Sequence, residues 1–399
     1  MASTTPPARD AAAVDPAAES AAESGAASGA VSGASADSPD EPDEAASAPS
    51  RDESEHAVEQ FIADRLAGEA GAVSSVPRPA TDDELIRAAL SRRGVRTEEV
   101  DGQQVLLLGG IVVGGLRDGV TTLVGAHARR VGDNAWLTKR HLRVRDVPVP
   151  AGRMHGPDAL DAACAQLAEL DGPATLKPVA GHPGAGITTG LATEEQLRAA
   201  WRPALQARRR GPGANLNLLL ETHHAGLDLR AFVVGDRVVS AIVRVPLHLV
   251  GDGASTVREL LELQTDRRRG HAILAPRTPH LDDAALEAAG LRPDAVPEAG
   301  EVRILAATAG LDAGGLPVDV TDELADELAE VAADAVGAMP GLGAGAADLV
   351  APRLDSADGA VVVDVEPTAS LLPHHLPAVG TGRDVAGALA DMLLIRASR

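Results

Sequence analysis

The stretch Ala174-Thr175-Leu176-Lys177-Pro178, followed by Gly181-His182-Pro183-Gly184-Ala185-Gly186-Ile187-Thr188-Thr189, decides the reading of this 399-residue chain. The apolar run predicts a strand, and the glycines predict a loop of exposed backbone N–H groups after it. Lys177 stands out because the chain has one other lysine, Lys139, and otherwise uses arginine for its cations. A compact ammonium on a flexible stem is not interchangeable with the rigid fork of arginine. A strand that delivers an ammonium beside free N–H groups suits phosphate. In a chain with 41 glycines the loop alone reads more readily as a plain mobile surface turn. The position of Lys177 turns the reading toward a nucleotide site.

Composition narrows the class. Hydrophobic residues make up 45% of the chain and aromatic ones 1%, with no tyrosine, so the core must be built from Leu, Val and Ala. Base stacking on aromatic rings has little material to work with. The one cysteine, Cys164, excludes an intramolecular disulfide framework and reads as a small apolar residue on a helix. The formal net charge is −22, and residues 1–75 hold 15 acidic residues against 3 arginines. That segment is predicted to be a disordered acidic Ala/Ser/Pro-rich tail. The acidic balance speaks against nucleic acid as partner. No apolar run approaches the roughly 20 residues that span a bilayer, and no secretory signal opens the chain. The expectation is a soluble, cytoplasmic protein, with a homo-oligomer left open.

Order is predicted from about residue 76. Thr81-Asp82-Asp83-Glu84, Thr193-Glu194-Glu195-Gln196 and Thr256-Val257-Arg258-Glu259 are capping boxes, each opening a helix. Further helices are expected over Asn134 to Arg145, from Pro157 to Gly172, from Thr321, and over Asp384–Ile395. The runs Leu229–Val234 and Arg237–Val245 around Gly235-Asp236 read as a hairpin. Strands Leu216–Glu221, Ala347–Val350 and Ala360–Glu366 complete an α+β body without an internal repeat.

Three carboxylates form the second informative group. Asp364 and Glu366 stand two apart on a strand and so share a face, and Asp348 on the preceding strand can lie opposite. Such a face is either solvated or neutralised by a hard cation such as Mg²⁺, and the buried character of Val361-Val362-Val363 favours the cation. Glu221 ends an apolar strand, where a carboxylate can accept from an adenine amine or a ribose hydroxyl or can simply face solvent. The pairs His223-His224 and His374-His375 point to opposite faces and have no cysteine partner, which argues against zinc. Arg267-Arg268-Arg269-Gly270-His271 reads as a solvated basic loop, or as a holder of an acidic substrate if it lies near a phosphate site.

The order of these parts resembles the ATP-grasp fold, and specifically the ligase region of the cyanophycin synthetases and N-acetylglutaminylglutamine synthetase. The matching residues include Leu176-Lys177-Pro178 with Gly186-Ile187-Thr188-Thr189, Glu221 with Gly226-Leu227-Asp228-Leu229-Arg230, and Arg244-Val245-Pro246-Leu247-His248-Leu249-Val250-Gly251-Asp252-Gly253. They run from about Val105 to Leu394. The resemblance implies an ATP- and Mg²⁺-dependent carboxylate–amine ligase that makes an amide between amino-acid-like substrates through an acylphosphate. It assigns Lys177 and Lys139 to the ATP phosphates, with the loop at Gly181, Gly184, Gly186, Ile187 and Thr188 closing over them. Glu221 and Asp228 would contact adenosine, Arg244 would serve the γ-phosphate or acylphosphate, and Asp348, Asp364 and Glu366 would hold Mg²⁺. The implied division is a tail over 1–75, an α/β segment over 76–132 and the ATP-grasp domain over 133–396.

Departures from the family pattern keep a second class open. The family's second ATP-contacting lysine falls at Ala135, although Lys139 lies one helical turn further on the same face. Family Arg and Asn positions fall at Ala306 and Gly310. A pseudo-enzyme that binds nucleotide as a regulatory module fits those losses, and the acidic tail could itself be a partner-binding segment. The second ligase domain of a cyanophycin synthetase is absent from these 399 residues, so a complete cyanophycin synthetase is not expected.

Overall fold

Helices α1 (Arg51–Leu66) and α2 (Asp82–Ser91) precede four strands, β1 (Arg96–Val100), β2 (Gln103–Leu108), β3 (Ile111–Arg117) and β4 (Val120–Thr121). After α3 (Ala126–Gly132) and α4 (Ala135–Val144) come β5 (Gly152–His155), α5 (Leu160–Glu169), β6 (Ala174–Pro178), β7 (Thr188–Leu191), α6 (Glu194–Gln206) and β8 (Leu218–Thr222). The hairpin β9 (Leu227–Val234) and β10 (Arg237–Val245) leads to β11 (His248–Val250), α7 (Val257–Arg269), α8 (Asp283–Ala288), β12 (Val302–Ile304) and β13 (Leu316–Asp319). The chain closes with α9 (Asp326–Gly337), β14 (Ala344–Ala351), β15 (Val361–Glu366), α10 (Leu372–His375) and α11 (Val385–Ala397). This computed structural model describes residues 51–68, 72–78, 80–181, 184–208, 215–278 and 280–398.

Two antiparallel sheets matter for function. The smaller has the order β5-β8-β6-β7, and the central one β13-β10-β9-β14-β15. All three capping boxes form as read: Thr81, Thr193 and Thr256 each accept from the N3 backbone, and the N3 side chain reaches back.

One face of the central sheet is apolar along its length. Leu229, Ala231 and Val233 of β9, Val243 of β10, and Ala347 and Leu349 of β14 pack with Leu328, Ala332 and Val336 of α9. The opposite face is divided. Phe232 and Val234 with Ala344 and Ala346 are covered by Ile86 and Leu90 of α2 and Leu389 and Leu393 of α11. Further along the same strands, alternation brings Asp228, Arg230, Arg244, Asp348 and Asp364 to that face instead. The smaller sheet is backed by α5 and α6, with Leu176, Leu218 and Leu220 against Leu167, Leu197 and Trp201.

Three expectations need correction. The tail expected over 1–75 does not hold as one disordered piece, although residues 1–50 and 69–71 lie outside the described residues. Residues 51–66 are helical, and Phe61, Ile62 and Leu66 enter the main core cluster, with α1 lying against β12. Their helical spacing is hidden by the acidic residues on the other faces. The helix expected from Thr321 begins at Asp326, because the Thr321 hydroxyl is held by Asp319 Oδ1 at 2.6 Å instead of capping. Pro157 stands ahead of α5 and receives Trp201 Nε1 on its carbonyl at 3.0 Å.

If α1 belongs to the body, Ile62→Ala should lower the unfolding free energy by about 2–5 kcal/mol, the usual loss for a buried large-to-small change. Urea denaturation measures it, and an unchanged midpoint would detach α1 from the core.

Candidate functional site

The site lies where the smaller sheet meets the charged half of the central sheet. Alternation along β6 and β8 turns Lys177 and Glu221 to the side away from the leucines that pack on α5 and α6. Lys139 comes from α4, whose first turn is tied to the end of β6 by Ala135 N donating to Val179 O at 2.9 Å. The three side chains meet. Lys139 Nζ lies 2.8 Å from Glu221 Oε2, and Lys177 Nζ lies 3.0 Å from Glu221 Oε1. Lys177 Nζ also donates to Val363 O of β15 at 3.1 Å, which links the two sheets.

All three groups are buried, Lys139 to 1% exposure. Burial outweighs Glu221 for Lys139 and pushes its ammonium down to about 8. Lys177 sits above its ordinary value, since Glu221 and Asp364 overcome the cost of burial. Glu221 is held low by the two lysines against its own desolvation. The cluster therefore carries two cations against one anion at neutral pH. The expected adenosine contact at Glu221 is not what this geometry presents, because both of its oxygens face lysines. Lys139 stands beside Lys177 across Glu221.

The carboxylates are arranged differently from the sequence expectation. Asp348 and Asp364 do pair across β14 and β15, and Glu366 lies opposite Ala346. Asp348, however, is taken by arginines: Arg230 Nε and Nη2 donate to its two oxygens at 2.6 and 2.7 Å, and Arg244 Nη1 donates at 3.2 Å. These two arginines hold its carboxyl well below the usual range despite burial. Arg244 also donates through Nε to Asp228 Oδ1 at 3.0 Å, so Asp228 binds Arg244 and not an open pocket. Arg230 is the member of this charged cluster that motif reading left without a role. Its signal was present, since Asp228 and Arg230 are charged residues two apart on an otherwise apolar strand.

The trio does not fit a protein-built Mg²⁺ site. Among the described residues no group of three or more His, Cys, Asp or Glu side chains is placed to hold a metal. Asp364 and Glu366 are not taken by arginines: Glu366 Oε1 accepts from Thr368 N and Oγ1, and Asp364 Oδ1 from Val365 N. Desolvation, with Asp348 and Glu366 nearby, raises the Asp364 carboxyl to about 7 even though Lys177 opposes it. A cation shared with a bound phosphate would relieve that repulsion.

The glycine loop supplies backbone shape. Gly184 and Gly186 adopt φ of +73° and +72°, where a side chain is disfavoured. Gly181 bridges to Arg208, and Thr188 pairs with Leu176 at the start of β7, with Ile187 half-buried before it. His182 and Pro183 of the expected loop lie outside the described residues. The histidine pairs serve local structure: His374 Nδ1 meets Ser240 Oγ at 2.8 Å, and His375 Nε2 accepts from Ala386 N at 3.0 Å.

Known proteins resemble this chain in sequence and fold. No protein-family model matches the chain. The cyanophycin synthetase of a Nostoc species is 32% identical over 324 residues, covering 78% of this chain and 34% of that protein. The glutathione biosynthesis bifunctional protein GshAB of Listeria monocytogenes is 28% identical over 270 residues, covering 65% and 34%. The crystal structure of a bifunctional glutathione synthetase from Pasteurella multocida matches with a TM-score of 0.56 at 22% identity, over 84% of this chain and 46% of that one. The chain thus spans about a third of the length of the cyanophycin synthetase it matches. The α+β ATP-grasp fold expected from the motifs is borne out by this likeness. Among the described residues no helix is long and apolar enough to cross a membrane.

The Asp364 carboxyl gives a pH test. Its folded value lies above its ordinary 3.8, so the stability it contributes is full below about pH 4 and lost as pH rises through about 7. Asp364→Asn should therefore melt higher than the wild type at pH 8, with the difference vanishing toward pH 4. Equal melting at pH 8 would mean that Asp364 is not desolvated.

Proposed function

We propose that this chain, an ATP-grasp protein related to the cyanophycin synthetases, is an ATP-dependent ligase that joins a carboxylate to an amine on amino-acid or peptide substrates. The observation that carries the proposal is the pair of buried lysines, Lys139 and Lys177, set against one glutamate between the two sheets. In this reading residues 133–396 are the catalytic unit and 76–132 support it.

The chemistry follows from the charges. Lys177 exchanges part of its bond to Glu221 and Val363 for the α- and β-phosphates, and Lys139 keeps Glu221 neutralised meanwhile. The loop residues Gly184, Gly186, Ile187 and Thr188 would cover the phosphates and keep out water that would hydrolyse an acylphosphate. The substrate carboxylate attacks the γ-phosphorus and ADP leaves; the amine then attacks the acyl carbon and phosphate leaves. Arg244, half-buried beside Asp228, is the cation that would serve the charge on the acylphosphate. Asp364 and Glu366 are the carboxylates left to hold magnesium, whose chemistry there is to neutralise the transferred phosphoryl group.

A second reading is a nucleotide-binding module without turnover. The capture of Asp348 by Arg230 and Arg244 favours it, because an arginine pair then occupies a place expected to hold a cation.

The test measures ADP release with Mg-ATP and a panel of amino acids and short peptides. A productive pair should lose about 10²–10³-fold in rate in Lys177→Ala, the size of one lost electrostatic contact to the reacting group. No turnover with any pair, or turnover indifferent to the substitution, defeats the ligase reading. A rise in melting temperature with Mg-ATP but no turnover would select the binding module.

A further inference from the structure

Arg267-Arg268-Arg269 is not the solvated loop that its composition suggests. It forms the last turn of α7, and Arg268 turns inward until only 1% of it is exposed. Its Nη2 donates to Gly314 O at 2.6 Å. Its Nε and Nη1 are buried without a hydrogen-bond partner.

The other buried or half-buried cations around the site have acids beside them. Lys139 and Lys177 share Glu221, while Arg230 and Arg244 share Asp348. Arg268 forms no ion pair among the described residues, and burial, with no carboxylate to offset it, pushes its pKa down to about 10. Its ionisable neighbour His248 is also buried, with Nδ1 2.8 Å from Pro246 O; burial, and secondarily Arg268, keep that ring neutral. A guanidinium taken out of water without an anion is far costlier than a paired one. Buried donors left open in this way call for a partner outside the chain.

The location narrows what that partner is. Gly314 leads into β13, where Pro317 pairs with Arg244 of β10. Arg268 therefore lies toward the same end of the central sheet as the charged face. Its planar fork, with donors still open, matches a carboxylate.

We infer that Arg268 is an anion site, and that its occupant is the carboxylate by which an amino-acid or peptide substrate is recognised. The site stands on the unpartnered guanidinium; only the identity of the occupant as a substrate rests on the ligase reading. The binding experiment is accordingly done without nucleotide.

Thermal unfolding of the full chain is followed in sodium acetate, with sodium chloride at matched ionic strength and with acetamide as the uncharged analogue. Acetate should raise the midpoint by a few degrees over both controls. Arg268→Met should abolish that rise, and Arg269→Met, at the exposed neighbour, should keep it. Without acetate, Arg268→Met should melt no lower than the wild type, because an unpaired buried charge has been removed. Should Arg268→Met fail to fold, Arg268→Lys keeps the charge and should show a reduced acetate response. The inference is overturned if chloride acts as strongly as acetate, if the wild type ignores acetate, or if Arg268→Met keeps the rise. If Arg268→Met is too destabilised to read, an Arg268→Lys response to acetate equal to that of the wild type overturns it instead. An intact acetate response together with absent ADP release would count against the ligase and leave the anion site standing.

Discussion

Glu221 and the two lysines it holds are the interaction on which the rest of the site depends. Three charged groups in a space closed to water tie α4, β6 and β8 together, and Lys177 extends the tie to β15 through Val363 O. Each member is tolerable only because of the others. Removing one partner from such a buried set strands the remaining charge, at a cost of about 3–5 kcal/mol. The set therefore fixes where the two sheets meet, and it stores an ammonium that a phosphate can claim. A surface lysine would be hydrated and would bind phosphate less sharply; a buried one without Glu221 would shed its proton.

The central sheet shows how one strand serves two ends. Along β9, Phe232 and Val234 belong to the apolar half under α2 and α11, while Asp228 and Arg230 on the same face belong to the charged half. The switch happens within two residues. It places a chain of charges, Asp228 to Arg244 to Asp348 to Arg230, beside Asp364. Four of these five are already mutually satisfied, and Asp364 is the one whose charge is opposed by its surroundings. That imbalance makes the strand β15 end the natural place for a ligand to bring positive charge.

Much of this was legible in the sequence, and the limits have physical causes. Period-two alternation and turn residues were enough to read the hairpin of β9 and β10, the pairing of Asp348 with Asp364, and the strand that carries Lys177. The rarity of lysine pointed to Lys177, and its helical spacing from Ala135 pointed to Lys139. What alternation cannot reveal is which strands become neighbours. β9 and β14 lie side by side, so Arg230 reaches Asp348 across 118 positions of sequence, and the expected metal ligand becomes an arginine partner. The same blindness hid Glu221, whose two lysines come from α4 and β6. In α1, composition outweighed pattern: acidic side chains masked the stripe of Phe61, Ile62 and Leu66. In α7, three consecutive arginines looked uniform, although a helix turns each to a different environment and buries only the middle one.

The most direct test of the account is an experimental structure of the chain with a non-hydrolysable ATP analogue and magnesium. It should show phosphate oxygens bonded to Lys177 Nζ, with Glu221 still paired to Lys139 and the loop through Gly184 and Gly186 closed over the phosphates. A nucleotide bound elsewhere, or Lys177 still held by Glu221 and Val363 with the nucleotide bound, would contradict it.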